Sequence, residues 1–316
     1  MCIRDSNTII AESEISHSGL QKNLYFKDWL DSRTEGAQNI EILNLDLTEA
    51  LNPWAREVSS REKLIQYAIN KYPNAKFILS DLDEIPSNSQ VKKFLDSEGN
   101  YNFVSPTYFR FANWKTQDDE HINWRKGIFG DKSLLELPNG GRNFEFPILL
   151  DCDSGIHFSY GTKIRGSISG KIQNFAHQEL NFDELTSSRT HEFADRFQID
   201  HLGRFRVRSR GILKFEDKQE LNEVQKKLHD AHPEFFNFSR IKINIFRRLI
   251  ASMILTYLIE VPCRRKLVFE MYINKSRGNF MSRFVGVAFM CSYFAKIYFV
   301  NKITKLISSF RDRFTL

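Results

Sequence analysis

The chain has 316 residues, 41% hydrophobic and 27% charged, with only 15 Gly and 8 Pro, a globular composition that fits one large domain or two smaller ones. Its four cysteines (Cys2, Cys152, Cys263 and Cys291) are scattered without a C-x-x-C pair; this excludes a zinc motif or a disulfide framework and favours a reducing or unconstrained compartment. The net charge of +6 is uneven: residues 239–316 carry 15 Lys and Arg against 3 acids, near +12, while the rest carries 30 bases against 36 acids.

Met1–Ser6 holds no apolar stretch of the kind a secretory signal needs. Asn7–Glu12 already reads as a strand with no lead-in, so the chain is expected to begin inside a domain. Strands are predicted at Thr8–Ala11, Ile40–Leu45, Phe77–Ser80, Phe103–Pro106 and Ile156–Tyr160. Helices are predicted at Ser59–Lys71, Ser87–Leu95, Asp183–Asp195 and Asp217–His229. Ser59 and Glu62 read as a capping box, with Ile65, Ala68 and Ile69 as the apolar face behind it. The alternation predicts an α/β sheet with helices on both faces, over residues 1–238.

Residues 239–316 differ. Ile241–Val261 and Phe284–Val300 are apolar runs punctuated by Arg247, Arg248, Arg264, Arg265, Lys266, Lys296, Lys302 and Lys305. Neither offers the roughly 20 uncharged residues of a membrane-spanning helix. Apolar faces with basic flanks suit an anionic membrane surface; the alternative is a helical subdomain packed on the core with its bases solvated. Nucleic acid is not an expected partner, because the bases alternate with aliphatic stretches instead of forming one basic face. The expected location is cytoplasmic, or peripheral on the cytoplasmic face of a membrane.

Chemistry concentrates at strand ends. The run Phe77–Leu79 leads into Ser80-Asp81-Leu82-Asp83-Glu84-Ile85-Pro86. Open α/β sheets bind ligands beyond the carboxyl ends of their strands. Two hard carboxylates there, Asp81 and Asp83, suit Mg²⁺ or Mn²⁺ shared with a substrate phosphate. An acidic turn after a strand is also common for purely structural reasons.

After the first strand, Glu12, Ser13, His17, Gly19 and Lys22 form a loop with small residues for close approach, a His and a Lys, which suits phosphate or nucleotide. Arg56 and Arg61, near Trp54 and Glu57, match diphosphate oxygens, although Glu57 and Arg61 also form an i,i+4 pair. Further along come His157, then Lys171, His177 and Glu179. A His there extends a metal shell and a Glu serves as general base. A lone His is otherwise an ordinary packed or solvated residue.

The order of these clusters resembles glycosyltransferase family 17, which contains the β-1,4-mannosyl-glycoprotein 4-β-N-acetylglucosaminyltransferases. The matching runs are E-S-x-x-S-H-S-G-x-x-K-x-L-Y-F from Glu12, W-x-R-E-x-x-x-R from Trp54, I-L-S-D-L-D-E-I-P from Ile78, G-I-H-F-S-Y from Gly155 and K-I-x-x-F-A-H-Q-E from Lys171. The resemblance covers about Asn7 to Phe205. It implies a GT-A-like nucleotide-sugar fold and inverting transfer of N-acetylglucosamine from a UDP-sugar to a glycan hydroxyl. On the matching positions Asp81 and Asp83 look like the metal and diphosphate site, with Mn²⁺ or Mg²⁺. His157 and His177 fall on histidines of the family pattern, and His177 is the expected third metal ligand.

Two departures stand out: the family's preceding strand and helix are missing, and Ile156 replaces a common Trp, which bears on acceptor preference. An inverting transfer needs a proton acceptor, for which Glu179, Glu57 and Asp153 are the candidates. Trp114, Trp124 and Tyr160 are candidates for sugar stacking or for core packing. The acceptor is expected to be a glycan or a lipid-linked saccharide. Two rivals fit parts of the pattern: a haloacid-dehalogenase-type phosphatase with Asp81 as nucleophile, and a non-catalytic glycan- or membrane-binding module.

Overall fold

The computed structural model describes residues 7–32, 39–117, 124–149, 152–160, 167–202, 212–239, 243–262 and 265–270. The architecture is mixed α/β. In chain order it comprises β1 (Thr8–Glu12), α1 (Tyr25–Asp31), β2 (Ile40–Asn44), α2 (Pro53–Lys71), β3 (Phe77–Leu79), β4 (Glu84–Ile85), α3 (Asn88–Leu95), β5 (Tyr101–Asn102), β6 (Thr107–Phe109), β7 (Trp114–Lys115), β8 (Ile128–Gly130) and β9 (Ile156–Ser159). It continues with α4 (Ser167–Asn174), α5 (Asp183–Thr186), α6 (Ser188–Phe197), β10 (Lys214–Phe215), α7 (Glu223–Ala231), α8 (Ile245–Glu260) and α9 (Arg265–Val268).

The strands form three groups. β1 and β2 pair in parallel, Thr8 opposite Ile40 through Glu12 opposite Asn44. β3, β8 and β5 form an antiparallel ladder in that order, and the third sheet runs β10-β7-β6-β9-β4. The two parallel pairs, β1–β2 and β6–β9, are each joined by long connections, as parallel pairing requires.

Several element boundaries differ from the sequence reading for identifiable reasons. α2 starts six residues before Ser59, because Asn52 accepts from the Ala55 N–H at 2.9 Å and Pro53 occupies the first turn, where its missing N–H costs nothing. The apolar face remains Ile65, Ala68 and Ile69. Phe103–Pro106 is not a strand. Phe103 packs against Phe129 in the core, Pro106 has no N–H to offer, and regular pairing resumes at Thr107. The predicted helix Asp183–Asp195 is divided at Ser187, whose backbone is extended and whose hydroxyl caps α6 by accepting from the Arg189 N–H. Asp217–His229 is likewise two pieces: a 3-10 turn at Lys218–Glu220, then α7 capped by Asn222.

The chain divides into two compact units. The first holds residues 1–115, 120–181 and 215–238; the second holds 116–119, 182–214 and 239–316. Within the second, α8 contributes Ala251, Ile254, Leu255, Tyr257 and Leu258 to a core completed by Ala194, Ile199, Ile212 and Val268. Its bases serve this packing. Arg248 donates to the carbonyls of Phe197, Gln198 and Leu213, and Arg265 lies 3.7 Å over the Phe182 ring. So α8 packs its second half into the core, from Ala251 to Leu258, while Ile245 and Phe246 at its start are exposed. The Phe284–Val300 run lies outside the described residues. Among the described residues no helix is long and apolar enough to cross a membrane.

Candidate active site

All of the site lies in the first unit. β3 ends at Leu79, and the Asp81 carbonyl accepts from the Glu84 N–H at 2.9 Å, closing a tight turn into β4. That turn carries both aspartates. Its anchor is Glu84, whose side chain has no exposed surface. Glu84 accepts from Arg142 at 2.7 and 2.8 Å, from the Trp124 indole N–H at 2.6 Å and from the Asp81 N–H at 3.3 Å. A buried carboxylate is tolerated only when its oxygens are satisfied in this way. Arg142 follows Asn139, Gly140 and Gly141, all with positive φ, a turn that glycines make easily.

Asp81 is 44% exposed and accepts from Arg142 at 2.7 Å and from Arg61 at 3.4 Å. Desolvation pushes its carboxyl up, but the charges of Arg142 and Arg61 outweigh this and hold it below the usual carboxylate range. Asp83 turns to other partners. It accepts from Lys171 of α4 at 2.7 Å and lies 3.8 Å from His157 Nε2. His157 Nδ1 stands 3.1 Å from the Thr107 hydroxyl, and burial pushes the imidazole's pKa down, towards the neutral ring. The register of β9 against β4, His157 opposite Glu84, brings it there. Gly155 lets the two strands meet, because a Cβ at that position would lie 2.2 Å from the Ile85 carbonyl oxygen.

A pocket of about 400 Å³ opens beside this turn. Ile9–Ser13 of β1 and its exit, His17, Lys22, Leu45, Leu47, Arg61, Ser80, Asp81 and Arg142 line it. Glu12 is buried, accepting from the Phe26 N–H at 3.0 Å and from Lys22 at 3.4 Å. Burial lowers the His17 pKa. Arg56 does not line the pocket; it braces the loop from behind, donating to the His17 carbonyl at 3.0 Å. Gly19, at φ +93°, lies against the Arg56 guanidinium. Thus Glu12, Ser13, His17, Lys22, Arg61 and Asp81 converge on one cavity, while Gly19 and Arg56 shape its rim.

The proposed proton acceptors sit apart. Glu57 is bound to Arg61 at 2.8 Å. Asp153 is exposed, its backbone tied to the Ser87 and Ser89 hydroxyls. Glu179 holds His177 Nδ1 at 2.6 Å, both side chains largely exposed. Trp114 is a core residue, Tyr160 is buried beside Lys171, and the partly buried Trp124 donates to Glu84 and packs on His157.

The metal expectation changes in one respect. Among the described residues no group of three or more His, Cys, Asp and Glu side chains converges, so His177 does not join Asp81 and Asp83. It packs on Trp54 instead. The two remaining carboxylates are hard oxygen donors of the kind Mg²⁺ or Mn²⁺ takes, with Asp81 open to the pocket and Asp83 held by Lys171 outside its lining. Arg142 has no role assignable from the sequence, because it stands in no motif and the hint was a lone Arg after an Asn-Gly-Gly turn; Trp124, a stacking candidate, instead donates to Glu84. Comparison of the chain with protein-family models, curated proteins and solved structures gave no match.

Proposed function

We propose that the chain is a metal-dependent, inverting glycosyltransferase with a GT-A-like sheet. It moves N-acetylglucosamine or a related sugar from a UDP-sugar to a glycan hydroxyl. The observation that carries this is a nucleotide-sized pocket whose wall joins the Asp81 carboxylate to Arg61, Arg142 and Lys22. Carboxylate and guanidinium groups side by side are what a metal-bridged diphosphate requires. When bound to Asp81, Asp83 and the diphosphate, the ion supplies neutralisation of charge on the leaving group.

The chain's own residues do the rest. Arg61 and Lys22 hold phosphate oxygens as negative charge builds on them. Arg142 and Glu84 keep the aspartate turn rigid, so little reorganisation is needed during transfer. Lys171 holds the Asp83 carboxylate in place. Glu179, which lies outside the Asp81 and Arg142 network and is held by His177, takes the proton from the attacking acceptor hydroxyl.

A donor screen tests the reading: purified chain with Mn²⁺, measuring nucleotide released from UDP-, GDP- and CMP-sugars with glycan acceptors present. Release from a UDP-sugar is expected, falling by about 100-fold or more in Asp81→Asn and Asp83→Ala. Wild-type turnover by Asp83→Ala, or no release from any donor, overturns it. Trapping of an aspartyl-phosphate on Asp81 points to a phosphatase instead.

A further inference from the structure

Trp54 is a large apolar side chain left 48% exposed at the start of α2. Its ring meets the His177 imidazole at 4.6 Å between centroids, with the planes 86° apart. His177 Nδ1 in turn lies 2.6 Å from Glu179 Oε1, and these two side chains are 49% and 63% exposed. The three form a right-angled corner with one aromatic wall and one polar wall.

The corner adjoins the pocket rim. Asn174, a pocket-lining residue at the end of α4, accepts from the Ser18 N–H through its carbonyl, and His177 follows three residues later. Phe175 also packs on the imidazole, with ring centroids 5.4 Å apart.

We infer that Trp54, His177 and Glu179 form a saccharide-binding subsite, which receives the sugar that accepts the transferred group. Only the word acceptor rests on the transferase reading. A pyranose presents an apolar face of C–H bonds and an edge of hydroxyls. The C–H face carries slight positive charge and settles on the negative face of an indole. The hydroxyl edge then meets the second wall at right angles. An ionised carboxylate only accepts hydrogen bonds, so with Glu179 in that state the His177 Nδ1 carries the hydrogen and, in the neutral ring, Nε2 is an acceptor. Glu179 retains its second oxygen for another hydroxyl. An exposed apolar partner of protein origin fits this corner poorly, because half of it is charged.

Saturation-transfer NMR and calorimetry on the full chain test the subsite. The probes are free N-acetylglucosamine, chitobiose and a mannotriose, with no donor or metal present. At least one saccharide is expected to bind through its ring C–H protons. Trp54→Ala is expected to weaken binding about tenfold or more, while Trp54→Phe, which keeps an aromatic face, stays within about threefold of wild type. His177→Ala should also weaken it. Circular dichroism confirms that the variants are folded. Equal affinity in wild type and Trp54→Ala overturns the subsite, as does failure of every probe to bind wild type. Binding of UDP-N-acetylglucosamine by the unaltered chain is measured separately. It reports on the transferase reading alone, so either idea can fail without the other.

Discussion

A fully buried carboxylate contributes order only while every donor around it stays in place. At Glu84 those donors are Arg142, the Trp124 indole and the Asp81 N–H. Arg142→Met leaves Glu84 buried without its cation and is expected to cost about 3–5 kcal/mol in urea unfolding. A loss no larger than that of a surface substitution would show that the pair is not buried as described. His17 sets a pH dependence. Burial lowers its pKa below the ordinary 6.5, so between the two values the unfolded chain binds the proton more readily. Stability is therefore full above about 6.5 and falls as the pH drops, by at most about 1.4 kcal/mol per pH unit for this group. His17→Gln should flatten that slope in urea midpoints taken between about pH 7.5 and 5.5. Asp81 acts lower: its depressed pKa contributes stability present above the usual carboxylate value and lost as the pH falls through the folded one.

At the scale of elements, the site depends on two junctions. α2 presents Arg61 and Trp54 together because Asn52 and Pro53 start it a turn and a half before Ser59. Removing the cap with Asn52→Ala should lower stability by about 1 kcal/mol, read in thermal unfolding, with Asn52→Asp close to wild type. The second junction is β4 beside β9. Gly155→Ala places a methyl against the Ile85 carbonyl and must push the strands apart. A loss of about 1–3 kcal/mol is expected, together with weaker UDP-sugar binding, since the Asp83 turn and His157 move with their strands. Unchanged stability and binding would mean that the strands yield more easily than this contact implies.

For the molecule as a whole, the second unit draws its core from segments far apart in sequence. Ala194 and Ile199 share it with α8. Leu255 has no exposed surface, so Leu255→Ala should cost about 2–5 kcal/mol. Deleting residues 239–316 removes α8 and leaves the apolar side of α6 uncovered. That truncation is expected to aggregate in size-exclusion chromatography and to bind hydrophobic dyes, and a well-behaved monomer would contradict the shared core. A liposome assay on the full chain is the better measure of membrane attraction, because the deletion disturbs folding as well as charge.

Local pattern alone determined much of this protein. The strands at Thr8, Ile40, Phe77 and Ile156, the α2 apolar face and the helix after Ser87 are legible because periodicity acts over a few residues, although the capping box read at Ser59 does not start α2. The pocket residues Glu12, His17, Lys22 and Asp81 stood out because they follow predicted strands, whereas Arg61 lies inside α2 and stood out only beside Arg56 and Glu57. Tertiary structure decided the rest. Arg142 reaches Glu84 across 58 residues of chain, and no local rule links an Asn-Gly-Gly turn to a distant acid. The burial of Ala251, Ile254, Leu255, Tyr257 and Leu258 depends on Ala194, Ile199 and Ile212, far back in the chain, so the apolar run by itself pointed to a membrane surface as readily as to a core. The motif order suggested that His177 faces Asp81 and Asp83, yet its side chain meets Trp54 and Glu179, because ring contacts and ion pairs are settled by three-dimensional proximity and not by order along the chain.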